Sequence, residues 1–218
     1  MENPFPLSQK YEELIEIYKD IAKNGCYYVN GSFASPTKVF GKSGQSKFKE
    51  LLRKYFTSHN IKSVLDYGGG QGSWEIKENN NTKLIDYLKL NKVVIYEPAR
   101  NLNEKPLMEC VVSFDVLEHV FISDIPWVLY DIFSKATSLV IINVACYKAS
   151  KLLTNGENVH STQRPPFWWK GVIDVIGNLF PNIPYVLIAS TTSKDIILFE
   201  PTSRSEFLGV AGYMALEK

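Results

Sequence analysis

The chain has 218 residues, enough for one domain with a single sizeable core and a small additional cap. It carries 24 basic and 23 acidic residues, and this near-zero net charge argues against broad electrostatic capture of nucleic acid or of an anionic membrane. No apolar run approaches the roughly 20 residues needed to span a bilayer, and the stretch Met1 to Asp20 lacks the basic and apolar regions of a secretory signal. We therefore predict a cytoplasmic protein without a membrane partner, for which nucleic acid is a disfavoured ligand.

The three cysteines, Cys26, Cys110 and Cys146, are odd in number and far apart in the chain. Their spacing suggests neither a disulfide framework nor a thiolate zinc site. We expect buried free thiols.

The sequence predicts an N-terminal helical cap with a lid loop over residues 1–60 and a core over residues 61–218. Apolar side chains recur at helical spacing from Ser8 to Lys23, and Asn24-Gly25 supplies a stop signal. The following stretch, Cys26 to Gly44, is rich in glycine, serine and aromatics without periodicity, which predicts a loop that lies over a site. A second helix is predicted from about Gln45 to Phe56.

Short β-branched apolar runs recur along the rest of the chain. The first ends at Val64 and Leu65, and KVVIYE, CVVSFD and SLVIINV follow, with helical patterns between most of them. Such alternation predicts a parallel sheet covered on both faces. PYVLIAS and DIILFE are close enough to pair as an antiparallel hairpin. The predicted fold is α/β: a Rossmann-like, doubly wound, mostly parallel sheet with a C-terminal antiparallel hairpin and an N-terminal helical cap.

The first strand leads into the glycine-rich turn DYGGGQG. A dinucleotide fingerprint, G-x-G-x-x-G, would start at Gly68 and Gly70 but meets Ser73 where the third glycine belongs. The alternative frame, D-x-G-x-G-x-G, is filled at Asp66, Gly68, Gly70 and Gly72. In doubly wound sheets this turn is where a nucleotide-like ligand approaches the backbone.

That second frame resembles the first motif of the class I S-adenosylmethionine-dependent methyltransferases. The resemblance continues with Glu97 in IYEPA and with FDVLEHV at the end of a later strand, and it covers about Ile61 to Val144. A carboxylate at the tip of the second strand can accept hydrogen bonds from both ribose hydroxyls, and glycines let a ligand lie against the backbone. Asp66 is suited to the ligand's ammonium group, directly or through water. The resemblance implies cofactor contacts from Asp66, Tyr67, Gly68, Gly70, Gly72, Glu97, Pro98, Asp115 and Val116.

The sequence departs from the family pattern in one place. Only seventeen residues separate Glu97 from Asp115, too few for a helix, a third strand and another connection. We therefore expect the third strand to be shortened or missing. Asp115 and Val116 are then the nearest candidates to line the adenosine pocket.

Two histidines are the candidate bases, because His59 lies in a polar turn before the first strand. His119 is either a helix-start residue or a catalytic group, and for His160 a site role is favoured. The segment Asp115 to His119 is similar to the D/E-x-x-E-H segment that, in some methyltransferases acting on catechols or RNA ribose, joins a later histidine to bind a divalent cation. Many relatives carry LEH here without a metal, so metal binding by Asp115, Glu118, His119 and His160 is left open.

The segment NGENVHSTQRPPFWW, Asn155 to Trp169, follows the fifth strand of the pattern, where this fold usually places its acceptor site. It resembles a segment shared by small bacterial and phage-encoded methyltransferases, several of which accompany surface-sugar genes. Arg164 could pair with an acceptor phosphate or carboxylate, or with a surface acid. Trp168 and Trp169 fall on adjacent helical faces, so that one is core and the other faces a ligand, unless both anchor the helix.

The predicted function is methylation of a small-molecule or sugar-like acceptor at oxygen or nitrogen, with S-adenosylmethionine as cofactor and S-adenosylhomocysteine as product. The catalytic and acceptor residues are then His160, His119, Arg164 and Trp168. Two alternatives stay open. One is a non-catalytic module that binds S-adenosylmethionine, and the other is an NAD-dependent oxidoreductase, which Ser73 disfavours.

Overall fold

The computed structural model describes residues 2–39, 44–72, 74–75 and 82–200. Ser73, which decided between the two glycine frames, lies outside these ranges. The helices are α1 (Gln9–Asn24), α2 (Lys49–Ser58), α3 (Leu84–Tyr87), α4 (Ile125–Ser134) and α5 (Pro166–Gly177). The strands are β1 (Cys26–Tyr27), β2 (Phe33–Ala34), β3 (Ser63–Tyr67), β4 (Lys92–Tyr96), β5 (Met108–Phe114), β6 (Ala136–Ala145), β7 (Tyr185–Ser190) and β8 (Ile196–Phe199).

Six strands form the central sheet in the order β4-β3-β5-β6-β7-β8. All neighbouring pairs are parallel except β7 and β8, which pair as an antiparallel hairpin. β1 and β2 form a separate two-stranded antiparallel sheet within the predicted lid loop. The predicted mostly parallel sheet and C-terminal hairpin are confirmed.

The sheet is covered by apolar clusters on both faces. Alternate residues of one strand point to opposite faces, so Leu65 joins α4 and α5 in one cluster while Val64 joins α2 and α3 in the other. Burial on both faces explains why these strands read as continuous apolar runs instead of alternating ones. This arrangement is consistent with the Rossmann-like architecture expected from the sequence.

The predicted N-terminal cap is present as α1. It ends as predicted, because Gly25 adopts a φ of +85° and its N–H donates to the carbonyl of Ile21 at 2.9 Å. At the other end, the N–H and hydroxyl of Ser8 donate to the Asp124 carboxylate at 2.7 and 2.8 Å. Both ends of the cap are therefore tied to specific partners.

The connection between β4 and β5 contains only a single 3-10 turn, Pro98–Arg100. The family pattern has one more strand in the chain between the counterparts of β4 and β5. Within the described ranges this strand is missing, and β4 lies at the edge of the sheet. Because β3 pairs in parallel with both β4 and β5, the carboxyl ends of these three strands lie side by side. The open space beside them is the place where a ligand site can form.

The three cysteines are free thiols: Cys26 and Cys110 are buried, and Cys146 is partly buried. None of the described helices combines the length and the apolar character that crossing a bilayer requires.

Candidate functional site

A cavity of about 300 Å³ lies at the carboxyl ends of β3, β4 and β5. The glycine turn after β3 forms one wall, the residues after β4 and β5 form the next, and one face of α1 closes the opposite side. The volume lies at the lower end of the range for small-molecule sites. Of the predicted cofactor residues, Tyr67, Gly68, Gly70, Glu97, Pro98, Asp115 and Val116 line it.

The glycine turn depends on alternate residues in the left-handed region. Gly68, Gly70 and Gly72 have φ values of +77°, +57° and +67°. A Cβ on Gly68 would also lie 2.4 Å from a methyl group of Val116. The spacing seen in the sequence thus matches a backbone requirement, because other side chains rarely adopt these angles.

Glu97 joins the tip of β4 to this turn. One carboxylate oxygen accepts the N–H of Gly70 at 3.0 Å, and the other accepts the N–H of Ala99 at 3.1 Å. Burial raises the pKa of Glu97, while these two backbone hydrogen bonds lower it. The result is a carboxylate held in one orientation at the cavity wall.

Asp66 does not line the cavity. Its carboxylate is fully buried behind the turn, where it accepts the Gln45 amide at 2.9 and 3.0 Å and the Trp74 indole N–H at 2.7 Å. Burial raises its pKa to about 7, against the lowering effect of the bonds from Trp74 and Gln45. The geometry supports a role in holding the turn rather than direct contact with a ligand.

Asp115 and Val116 follow β5 and line the cavity next to Gly68. Asp115 has a φ of +55°, and its N–H donates to the carbonyl of Asn143 at 3.2 Å. Left-handed backbone outside glycine is uncommon, and it is concentrated where the surroundings enforce it. The pKa of Asp115 is raised because surrounding protein limits its hydration, and the positive charge of Lys47 opposes that rise.

His119 lies at the cavity wall beneath α1. Its Nδ1 is 2.9 Å from the carbonyl of Val159 and 2.9 Å from the hydroxyl of Tyr18. A carbonyl only accepts, so Nδ1 carries the proton and Nε2 keeps its lone pair. Burial and the neighbouring His160 lower the pKa of His119 to about 3, which keeps the ring neutral.

His160 packs perpendicular to His119, with ring centroids 4.9 Å apart. Its Nδ1–H donates to the carbonyl of Tyr147 at 2.6 Å, so its Nε2 is also a free acceptor. Burial lowers the pKa of His160, opposed by the bond to Tyr147. Two neutral imidazoles with the same tautomer therefore meet beside the cavity.

The segment that contains His160 is bonded to the turn that contains His119. The N–H of Thr162 donates to the carbonyl of Glu118 at 2.9 Å, and its hydroxyl donates to the carbonyl of Val120 at 2.7 Å. Chain order suggested that Asn155 to Trp169 lies near the site, and these bonds place its first half there.

The second half of that segment turns away from the cavity. Arg164 is exposed and lies over the Trp168 ring, at 5.8 Å from its centroid. Trp168 is partly buried, packs perpendicular to Trp169, and contacts the core cluster, whereas Trp169 is fully buried within it. Neither Arg164 nor Trp168 lines the cavity, so the geometry favours anchoring roles for the two tryptophans.

Several cavity residues were absent from the sequence prediction. Tyr11 and Tyr18 come from α1, whose periodicity indicated a buried face without showing what it would cover. Lys151 also lines the cavity. Gln45 and Trp74 bond to Asp66 from 21 and 8 positions away in the chain, and no signal in the sequence pointed to them.

Comparisons of the chain with models of known families, with curated proteins and with solved structures each found no match.

Proposed function

We propose that the protein is an S-adenosylmethionine-dependent methyltransferase with a Rossmann-like core, acting on a small-molecule acceptor at oxygen or nitrogen. The observation that carries the proposal is the bond from the Gly70 N–H to the Glu97 carboxylate at 3.0 Å. It joins the glycine turn and the acid of the second core strand in one wall of one cavity. These are the two features on which the family resemblance chiefly rests.

The charges around the cavity also support this ligand. Among the described lining residues, Glu97 and Asp115 are acidic and Lys151 is basic. S-adenosylmethionine carries an ammonium and a sulfonium, which acidic walls attract, whereas the pyrophosphate of NAD would meet repulsion from both carboxylates. The lining therefore favours the methyl donor over the dinucleotide.

Four tyrosines, Tyr11, Tyr18, Tyr67 and Tyr96, also line the cavity. Aromatic rings attract cations through their faces and exclude water from a site. Tyr67 is held by the bond from its hydroxyl to Asp131 at 2.8 Å and packs on Tyr96 with centroids 4.6 Å apart. Such a wall suits a cationic group that must lose its charge during reaction.

We assign the following roles to this chain's residues. Glu97 accepts the ribose hydroxyls, the glycine turn admits the methionine part, and Asp115 with Val116 borders the adenosine. Asp66 holds the turn from behind. When bound, S-adenosylmethionine supplies a methyl group on a sulfonium, and the protein's task is to align the acceptor with it in a dry cavity.

The acceptor side of the site is assigned to His119 and His160. His119 is a weak base because its pKa lies far below neutrality. His160, with its free Nε2, is the better candidate to take a proton from an acceptor hydroxyl or ammonium group. Arg164 and Trp168 lie outside the cavity lining and are not assigned to this acceptor site. His160 also lies outside the lining, but its ring packs on His119, which is part of it.

The proposal is tested by binding of S-adenosylhomocysteine to Glu97→Ala, measured by calorimetry. Loss of charge-assisted bonds of roughly 1.5 to 3 kcal/mol predicts affinity lower by about 10-fold or more. Glu104→Ala is the matched control, because Glu104 is exposed on the same connection. Equal affinity of Glu97→Ala and the wild type would contradict the cofactor assignment.

A thermal-shift comparison tests the oxidoreductase alternative. S-adenosylhomocysteine is expected to raise the melting temperature, because a ligand that binds only the folded state stabilises it. NAD at the same concentration is expected to leave it unchanged. A shift with NAD alone would favour the oxidoreductase.

A further inference from the structure

Glu118, His119 and His160 form a cluster whose chemistry the proposed function does not use fully. One potential metal-ligand atom from each side chain lies within 4.8 Å of the others. The cluster stands beside the cavity, because His119 lines it. Asp115, the fourth residue suggested by the sequence, is not a member of the cluster.

The carboxylate of Glu118 is the most unusual member. The side chain is fully buried, and one oxygen accepts the N–H of Ala145 at 2.8 Å. The other oxygen, Oε2, is buried and has no hydrogen-bond partner among the described residues. Buried carboxylate oxygens without a partner are costly and require an explanation.

A proton shared among the three side chains does not supply that explanation. In such a network Oε2 would be hydrogen-bonded to a ring nitrogen of His119 or His160, and it has no hydrogen-bond partner among the described residues. A cation between the three side chains would instead neutralise the carboxylate and occupy the gap.

The surrounding bonds prepare both imidazoles for a metal. Metal-binding histidines usually donate the other ring N–H to a carbonyl or carboxylate, which orients the ring and frees one lone pair. His119 does so toward Val159 and His160 toward Tyr147. These acceptors are backbone atoms, as is the Ala145 N–H on Glu118, so all three ligands are oriented by main chain.

We infer that Glu118, His119 and His160 bind one divalent first-row transition metal. Two imidazole nitrogens and a carboxylate oxygen suit zinc, iron, cobalt or manganese better than magnesium, which prefers oxygen ligands. Ligands of a four-coordinate zinc lie about 3.4 Å apart, so the side chains need to close by roughly 1.4 Å at most. Three protein ligands leave a coordination position for water or substrate. If the proposed function is right, that position adjoins the acceptor, and a bound metal would supply the acid-base role assigned above to His160, because it takes up the Nε2 lone pair of that ring.

The test is titration of EDTA-treated, dialysed full-length protein with Zn²⁺, Co²⁺ and Mg²⁺ by calorimetry. We expect Zn²⁺ and Co²⁺ to bind at one site per chain, with Mg²⁺ weaker by about 100-fold or more. Bound Co²⁺ should also show visible absorption bands that report its coordination. Loss of a ligand in Glu118→Gln or His160→Ala should weaken Zn²⁺ binding by more than about 100-fold, since loss of an outer-sphere partner alone costs 10- to 100-fold.

His59→Ala is the matched control, because His59 lies at the end of α2, away from the cluster. Circular dichroism establishes which variants are folded, and Zn²⁺ affinities are compared only among the folded variants. Zn²⁺ binding as tight in folded His160→Ala or Glu118→Gln as in the wild type would overturn the inference, as would absence of Zn²⁺ and Co²⁺ binding to the wild type. S-adenosylhomocysteine binding to the metal-free protein is measured separately, so failure of the metal site and failure of the proposed function are distinguishable.

Discussion

Asp66 and Glu118 are two fully buried carboxylates at the same edge of one sheet, and their surroundings differ. Both oxygens of Asp66 accept side-chain N–H groups from Gln45 or Trp74. Glu118 has one oxygen bonded to the backbone and the other without a partner among the described residues. A buried acid whose hydrogen bonds are complete stabilises structure, whereas one left incomplete beside two imidazoles indicates a ligand.

The causes of the raised pKa values also differ between Asp66 and Glu118. Burial raises the pKa of Asp66 to about 7, and the two donors moderate that rise. Burial and the charge of Asp115 raise the pKa of Glu118 well above its usual range. Asp66 thus has its compensation within the fold, while Glu118 lacks it until a cation binds.

The largest effect is expected from removing Asp66, the acid whose hydrogen bonds are complete. Asp66→Ala leaves the Gln45 amide and the Trp74 indole without acceptors in a buried region, at a cost of about 4 kcal/mol in unfolding free energy. Urea denaturation measures this change. Asp66→Asn is the control. The Gln45 Oε1 has no partner among the described residues, so the Gln45 amide can rotate and let this oxygen accept an N–H of the introduced side-chain amide, and the cost should stay within about 1 kcal/mol. An equal loss in both variants would contradict the hydrogen-bond explanation.

Glu118, the acid with one oxygen that lacks a partner among the described residues, should respond in the opposite manner. In metal-free protein, Glu118→Gln is expected to change unfolding free energy by less than about 1 kcal/mol, because an amide of the same shape keeps the bond from the Ala145 N–H and replaces an oxygen that already lacks a partner among the described residues. Zn²⁺ at about 100 times its dissociation constant should stabilise the wild type by about 2.7 kcal/mol and leave the variant unaffected. Thermal melts with and without Zn²⁺ provide the measurement. Equal stabilisation of both proteins would remove the distinction between the two acids.

The substitution Gly69→Ala tests how tightly the turn encloses Asp66. A Cβ on Gly69 would lie 2.5 Å from Asp66 Oδ2 and 2.9 Å from a methyl carbon of Ile95, so Gly69→Ala should cost about 2 kcal/mol. In an Asp66→Ala background the cost should fall by about 1 kcal/mol, because only the Ile95 contact remains. A double-mutant cycle in urea measures this coupling, and strict additivity would show that the carboxylate is not the obstacle.

The last prediction concerns pH and the same buried acid. The folded-state pKa of Asp66, about 7, lies above its ordinary value of 3.8, so the folded protein binds the proton more tightly than the unfolded chain. The stability from protonated Asp66 is complete below about pH 4 and is lost as pH rises through about 7, by at most about 1.4 kcal/mol per pH unit. Asp66→Asn lacks this contribution, so its stability should fall less between about pH 5 and 7.5. Parallel pH profiles of the two proteins would contradict the raised pKa.

Much of the fold was predictable because its signals are local. Apolar periodicity identified α1, and β-branched runs identified the strands of the central sheet, including the hairpin of β7 and β8. The short distance from Glu97 to Asp115 predicted that the third strand of the family pattern is shortened or missing, and within the described ranges it is missing. These features depend on residues close in sequence, where backbone preferences and side-chain spacing act directly.

The site was less predictable because its contacts join distant residues. Asp66 was assigned to a ligand, yet its partners Gln45 and Trp74 enclose it behind the turn. Arg164 and Trp168 belonged to a suggestive segment, but α5 carries the tryptophan against the core. Chemical type alone does not tell which way a side chain faces.

By itself the sequence determined the alternating α/β architecture and the glycines of the turn, since periodicity and left-handed backbone are properties of short stretches. It also placed Glu97 at the tip of a strand. Only the tertiary structure decided that His119 meets His160 across 41 positions of chain and that Oε2 of Glu118 lacks a partner among the described residues. Packing of the whole sheet and its loops brings those groups together, and no stretch of neighbouring residues encodes their meeting.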